Sequence, residues 1–196
     1  MLFRSLMEYL LLFISAILVN NVVFSQFLGI CPFLGVSKKL DTAVGMGAAV
    51  TFVVTIATLV TYAIQKLVLD PYEIGYMQNI AFILVIASVV QMLEMILKKI
   101  SPALFQALGV FLPLITTNCM ILGVAITVIQ KDFNLGESIV YAIATAIGYT
   151  MAIVIFAVIR EQLAKTNVPA PLAGIPIALV TAGILAMAFM GFAGLV

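Results

Sequence analysis

The sequence predicts an all-α integral membrane protein: six transmembrane helices forming two inverted three-helix repeats, with the first and fourth helices discontinuous. Three observations lead there. Of 196 residues, 65% are hydrophobic and only 9% charged, with mean hydropathy +1.30. A soluble domain is about half apolar and about a quarter charged, so this chain has too few charges to coat a water-facing surface. Six apolar runs are long enough to cross a hydrocarbon core of ~30 Å, which takes about 20 helical residues. Finally, the only two cysteines stand in one repeated frame, Cys-x-x-Leu-Gly-Val, at 31–36 and 119–124.

The first span is expected over 9–31. Its apolar run continues past Val23 without a small-residue cleavage site, so it reads as a retained helix and not as a signal peptide. Asn20 and Asn21 interrupt it, and Gly29, Pro32 and Gly35 bracket Cys31. The second and third spans are expected over 44–65 and 79–96, set off by "SKKLD" and "KLVLDPYEIGYMQ". "KKISP" precedes the fourth, over 104–129, where Pro113, Thr116, Thr117 and Asn118 lead into Cys119 and Gly123 follows. Proline removes a backbone donor and clashes with the preceding turn. Freed carbonyls and polar side chains at membrane depth are tolerated only when buried in protein or lining a cavity. Both cysteine-bearing spans therefore read as broken helices. The fifth and sixth spans are expected over 138–159 and 172–196, separated by "REQLAKTNVPAP". The chain is thus one membrane domain, 1–196, with halves of approximately 1–100 and 101–196. Three spans separate the two frames, and an odd number inverts the second copy, an architecture common in transport proteins.

Lys38, Lys39, Lys98, Lys99, Arg160 and Lys165 fall on one side of this arrangement, and Arg4, Lys66 and Lys131 on the other. The positive-inside bias places the first set in the cytoplasm and both termini outside it. A net charge of +1 leaves no basic face for a nucleic acid. The absence of histidine removes His-ligated haem, His-based zinc water and a His general base. "GMGAAV" lacks the third glycine of a dinucleotide loop and opens a membrane helix instead of following a strand.

Four chemistries remain open for Cys31 and Cys119: small buried hydrophobes, a disulfide, a soft-metal dithiolate, and half of an iron–sulfur site. Such a cluster takes four ligands, and this chain has two cysteines.

The stretches "VNNVVFSQFLGICPFLGVSKKLDTAVGMG", "QMLEMILKK", "LGVFLPLITTNC", "IREQL", "VPAP" and "TAGILAMAFMGFAGL" resemble the family of A-type subunits of the Rnf complex. That complex is the ion-translocating ferredoxin:NAD oxidoreductase of bacteria and some archaea. The resemblance covers essentially the whole chain. A related family, the E-type subunits of the sodium-translocating NADH:quinone reductase, tends toward Thr after the first cysteine and Val-Asn before the second, where this chain has "CPFLGV" and "TTNC". The alternatives are membership of that quinone-reductase family or a non-redox inverted-repeat carrier. The resemblance implies a six-helix subunit of the bacterial cytoplasmic membrane, paired with the homologous E-type Rnf subunit of opposite topology and with the other Rnf subunits. It implies an intramembrane [2Fe–2S] cluster shared between the pair, with Cys31 and Cys119 as this chain's ligands. Electrons would cross the membrane there, coupled to Na⁺ or H⁺ movement, and flavin and nucleotide sites would lie on other subunits.

Three further features accompany that reading. Glu94 is an acid at the end of a span: either a carboxylate attracting a cation at the cytoplasmic mouth, or an interfacial partner of Lys98 at i+4. Thr116, Thr117 and Asn118 either offer oxygens to an ion, donate hydrogen bonds toward cluster sulfurs, or simply break the helix. Gly174, Ala178, Ala182 and Ala186 form a small-residue ridge suited to close helix packing, against a neighbouring subunit or within the chain.

Overall fold

The computed structural model describes residues 2–37, 39–69, 71, 75–100, 112–166, 169 and 171–192, and every described element is helical. The helices are α1 (Leu2–Ile14), α2 (Ile30–Val36), α3 (Leu40–Ile64), α4 (Gln78–Ile100), α5 (Leu112–Thr116), α6 (Cys119–Gln130), α7 (Leu135–Leu163) and α8 (Ile175–Met190). Among the described residues, four stretches are long and apolar enough to cross a membrane: Leu40–Leu69, Gln78–Ile96, Pro113–Gln130 and Leu135–Leu163. Met7–Val19 and Ile175–Met190 are shorter apolar helices.

The centre of the molecule is the pair α3 and α7. On α3, Ala43, Met46, Gly47, Val50, Val54, Ala57, Thr58 and Thr61 are buried, a helical stripe repeating every three to four residues. Gly47 faces the side chain of Thr150 on α7, and a Cβ there would collide with it. Lipid tails are as apolar as leucine, so helices associate by close packing, and small residues at the contact allow it. On α7 burial runs nearly around the helix, from Ser138 and Tyr141 through Tyr149 to Phe156 and Ala157. Its start is tied down by Glu137, whose Oε2 accepts the Asn134 N–H at 2.8 Å.

Threonines within the spans pair internally. The hydroxyls of Thr51, Thr55, Thr58 and Thr61 each donate to the carbonyl four residues back, at 2.8 Å. With no water in the hydrocarbon core, this lets a polar side chain sit in a spanning helix. The outward residues Phe52, Leu59, Ile80, Ile83, Leu84, Ile184 and Met187 are exposed large hydrophobics suited to lipid.

The span expected over 9–31 is two helices. After α1 the chain loosens into a π-helical turn, Ser15–Val19, then runs without regular helix until α2 begins at Ile30. The expected fourth span falls into α5 and α6, interrupted only at residues 117–118; its first part, 104–111, lies outside the described residues. The boundary between the expected halves, near 100–101, touches the same undescribed stretch. The second span is longer than 44–65: α3 starts at Leu40 and a π-helical turn, Gln65–Leu69, extends it into the start of the expected loop. Leu67, Val68 and Leu69 continue the apolar run, and Lys66 does not end it because its long stem can carry the charge toward the interface. The last helix, Ile175–Met190, is shorter than the expected 172–196, and 193–196 lie outside the described residues.

The ridge on α8 turns inward. Ala178 and Ala186 are buried, Ala182 packs partly against the core, and Phe189 meets Phe24 at 4.6 Å between ring centroids. These three alanines serve packing within the chain, whereas Gly174, the fourth member of the expected ridge, precedes α8 and is exposed, with nothing within 4 Å of its Cβ position.

Candidate metal centre

Each cysteine lies in the first turn that re-forms after a break. Cys31 is the second residue of α2, and Cys119 is the first residue of α6. The first break is held by Asn21, which is almost fully buried. Its Nδ2 donates to the carbonyls of Ile17 and Gly148, both at 3.0 Å, and its Oδ1 accepts the N–H of Val23 at 3.0 Å. One side chain thus satisfies backbone groups freed by the break and ties them to α7. Gly148 permits this approach: a Cβ there would stand 3.2 Å from Ile17 Cα and 3.3 Å from the Ala16 carbonyl oxygen. Gly29 then turns the chain into α2 with φ +77°, a left-handed conformation that glycine adopts without steric cost. Pro32 is accommodated because it falls in the first turn of α2, where a missing N–H removes no intrahelical bond.

The second break is closed by Asn118. Its Oδ1 accepts the Met120 N–H at 3.1 Å, an N-cap that starts α6 at once. Thr117 donates its hydroxyl to the Pro113 carbonyl at 2.9 Å.

The two breaks touch. A Cβ on Gly29 would stand 3.1 Å from Asn118 Oδ1, 3.2 Å from Met120 Cβ and 3.0 Å from Tyr149 Cε2. Residues flanking Cys119 therefore press on the glycine two positions before Cys31. Further along, Gly35 of α2 faces Leu114 of α5 with 3.3 Å available, while Leu28, just before α2, packs on Gly123 of α6. So α2 runs back along α5, and α2 and α6 start at one junction and diverge from it. Arg160, at the far end of α7, holds the other end of α2. Its Nη1 donates to the Leu34 carbonyl at 2.8 Å and to Ser37 Oγ at 2.9 Å, and Phe33 stacks on Phe156 at 4.3 Å.

Both thiols are free and exposed. Neither side chain is enclosed by this chain's own residues. The Cys119 thiol makes a long contact, 3.9 Å, with the Thr117 carbonyl. Among the described residues no three His, Cys, Asp or Glu side chains gather into a metal site. The donor set at the junction, two free thiols open to the outside, suits one half of a four-thiolate site.

Of the other expected site residues, Asn118 is buried at the junction, Thr116 half-buried and Thr117 exposed. Glu94 is half-buried on α4, in a different element from either cysteine and one helical turn before Lys98. Sequence reasoning missed two residues. Arg160 counts there only as a topology charge, and nothing local links it to a carbonyl 126 positions away. Tyr149 is fully buried against Gly29; its one signal is a phenol in the middle of the apolar run "AIATAIGYTMAIVIF".

The family model described as "Rnf-Nqr subunit, membrane protein" matches residues 9–196. The chain is 59% identical to the A-type subunit of the Na⁺-translocating ferredoxin:NAD⁺ oxidoreductase complex of Acetobacterium woodii, over 96% of this chain and 98% of that protein. It is 58% identical to the A-type subunit of the ion-translocating oxidoreductase complex of Syntrophotalea carbinolica, over 95% and 97%. With the corresponding protein of Pseudoalteromonas translucida it shares 53% over 96% and 98%. A multi-helix membrane chain that aligns this way over nearly its whole length, both cysteine breaks included, belongs to the Rnf-Nqr family of membrane subunits.

Proposed function

We propose that this chain is the A-type membrane subunit of an Rnf-type, ion-translocating ferredoxin:NAD oxidoreductase, and that Cys31 and Cys119 are half the ligands of an intramembrane [2Fe–2S] cluster. The observation that carries the reading is the junction itself: two free, exposed thiols at the starts of two half-helices, with the side chains of Asn118 and Met120 beside Cys119 packed on Gly29, two positions before Cys31. The homologous E-type Rnf subunit, of opposite topology, supplies the other two thiolates across the exposed face. The two halves of this chain are read as inverted repeats, and the divergence of α2 and α6 from one junction supports that. The protein sits in the bacterial cytoplasmic membrane with both termini outside.

When bound, such a cluster supplies one-electron transfer at membrane depth. This chain's residues hold and shield the site. Cys31 and Cys119 present thiolates, and Asn118 and Asn21 lock the two breaks by satisfying backbone groups that would otherwise face hydrocarbon. Arg160 fixes the far end of α2 and so the position of Cys31. The packed face of Phe33, Phe156 and Tyr149 keeps water from the inner side. The ion moved is Na⁺ or H⁺; the Acetobacterium relative is named for Na⁺. Glu94 is either a carboxylate attracting that cation or the interfacial partner of Lys98.

The test is EPR and iron analysis of the purified complex, wild type against Cys31→Ser and Cys119→Ser. Each substitution alone should remove the cluster signal while the subunits stay assembled, since serine oxygen is a poorer match for iron–sulfur chemistry than thiolate. A colourless wild-type complex without iron or acid-labile sulfide would show a non-redox carrier instead. A cluster retained in Cys119→Ser would remove the assignment of that ligand.

A further inference from the structure

The half-buried guanidinium of Arg160 has donors in use and donors to spare. Its Nη1 donates to the Leu34 carbonyl and to Ser37 Oγ, and its central carbon stands 5.7 Å from the Phe156 ring centroid. A guanidinium carries five N–H donors, so those of Nη2 and Nε are left over. Among the described residues no carboxylate pairs with it. Glu161, the next residue, is exposed and does not line the cavity that Arg160 faces. A charge drawn partly out of water without a counter-ion is costly. The missing partner is an anion.

There is room for one. A cavity of about 250 Å³ opens between the end of α7 and the start of α8, with Arg160 in its wall. Small residues leave that space: Ala164 on one side, Ala173 and Gly174 on the other. No side chain caps α8, so the positive end of that helix favours the same sign of ligand as Arg160 does. Leu163 and Ile177 make much of the remaining lining apolar. A free inorganic anion gains nothing from those two side chains, whereas a phosphodiester carrying hydrocarbon uses both. The depth agrees. The 29 residues of α7 rise about 44 Å at 1.5 Å each, more than a hydrocarbon core of ~30 Å. Arg160, in the last turn of that helix, therefore falls at headgroup level.

We infer that the cavity between α7 and α8 binds the phosphate of an anionic phospholipid, with Arg160 pairing the phosphate oxygens and Leu163 and Ile177 against the attached hydrocarbon. Basic pockets between membrane helices take acidic headgroups by this chemistry, and a guanidinium matches phosphate with two parallel N–H···O bonds. The lipid completes the donors of Arg160 that α2 does not use. One side chain thus serves both the bound lipid and the anchoring of Leu34 and Ser37, at the far end of the helix that carries Cys31. The inference stands on the cavity and the spanning helices and does not need the cluster.

The experiment uses the intact purified complex, stripped of lipid in detergent. Phosphatidylglycerol, phosphatidylcholine and inorganic phosphate are added separately. Native mass spectrometry counts bound lipid, and hydrogen exchange is followed over 160–166 and 172–178. Ala164→Glu sets a carboxylate four residues after Arg160, on the same helix face, and supplies the counter-ion from within the chain. Ala164→Gln is the neutral control; Ala164 closes α7 in ordinary helical geometry, which accepts either side chain. Phosphatidylglycerol should slow exchange in both segments of the wild type and of Ala164→Gln, at about tenfold lower concentration than phosphatidylcholine. Ala164→Glu should need about tenfold more phosphatidylglycerol and lose a lipid that the wild type retains. Equal protection by the two lipids, no local protection by either, or unchanged binding in Ala164→Glu would overturn the inference. Protection by inorganic phosphate alone, as strong as that given by lipid, would make soluble phosphate the source and remove the lipid. Iron content should match the wild type in both variants, so this inference and the cluster reading fail separately.

Discussion

Replacing Gly29 by alanine tests whether the two breaks are truly one junction. The residue is left-handed, φ +77°, where an L side chain costs about 1–2 kcal/mol. The added methyl would meet Tyr149 Cε2 at 3.0 Å, Asn118 Oδ1 at 3.1 Å and Met120 Cβ at 3.2 Å. None of these yields easily: Tyr149 and Met120 are fully buried, and Asn118 Oδ1 is committed to capping α6. Overpacking of this kind costs about 1–3 kcal/mol, for a combined loss of roughly 2–5 kcal/mol. For a chain of this size that lowers the thermal midpoint by about 4–20 °C. Gly183→Ala is the matched control, because nothing lies within 4 Å of its Cβ position and it sits inside α8. Thermal unfolding of the full chain in detergent, alongside thiol alkylation of Cys31 and Cys119, gives the comparison. Gly29→Ala should melt earlier and label faster at both cysteines, although only Cys31 is near it in sequence. Equal melting of the two alanine variants would refute the crowding, and acceleration at Cys31 alone would refute the junction.

Other outcomes are accessible with the same material. Arg160→Met removes two charge-assisted bonds to α2 and should destabilise that helix by about 2–3 kcal/mol; hydrogen exchange over 30–36 should accelerate strongly, with Arg160→Lys intermediate, and unchanged protection would show that α2 does not depend on this anchor. Glu94→Gln should lower turnover at limiting cation and leave iron content intact, whereas normal turnover at every cation concentration favours the pairing with Lys98. Reporter fusions at Val196 that are active only in the cytoplasm should stay silent, and a strong signal there would invert the topology.

The spanning helices are legible in the sequence because hydropathy over about 20 residues is a strong local signal, and the interruptions because Asn20, Asn21, Pro113 and Asn118 stand out against apolar sequence. The two cysteines stand out for the same reason. The contacts that build the site do not. Asn21 to Gly148 and Arg160 to Leu34 join residues more than a hundred positions apart, and no periodicity encodes such a pairing. Nor can spacing alone orient the ridge Ala178, Ala182, Ala186: in lipid both faces of a helix are apolar, so a small-residue stripe marks a contact without saying which one. The π-helical extension at Gln65–Leu69 is hidden because a single lysine resembles the end of a run that leucines continue.

The Asn21 bond to the Gly148 carbonyl also sets an order of events at the ribosome. The side chain that closes the first break waits for an acceptor 127 residues downstream. At about 5–20 residues per second, the acceptor is made about 6–25 s later. Through that interval Asn21 has only its local bonds to Ile17 and Val23, and the arrival of α7 ties the first break into the fold. The first break is therefore not fully satisfied within the N-terminal half. A chain truncated before Gly148 should remain recognisable to membrane quality control as unfinished, however hydrophobic its helices are.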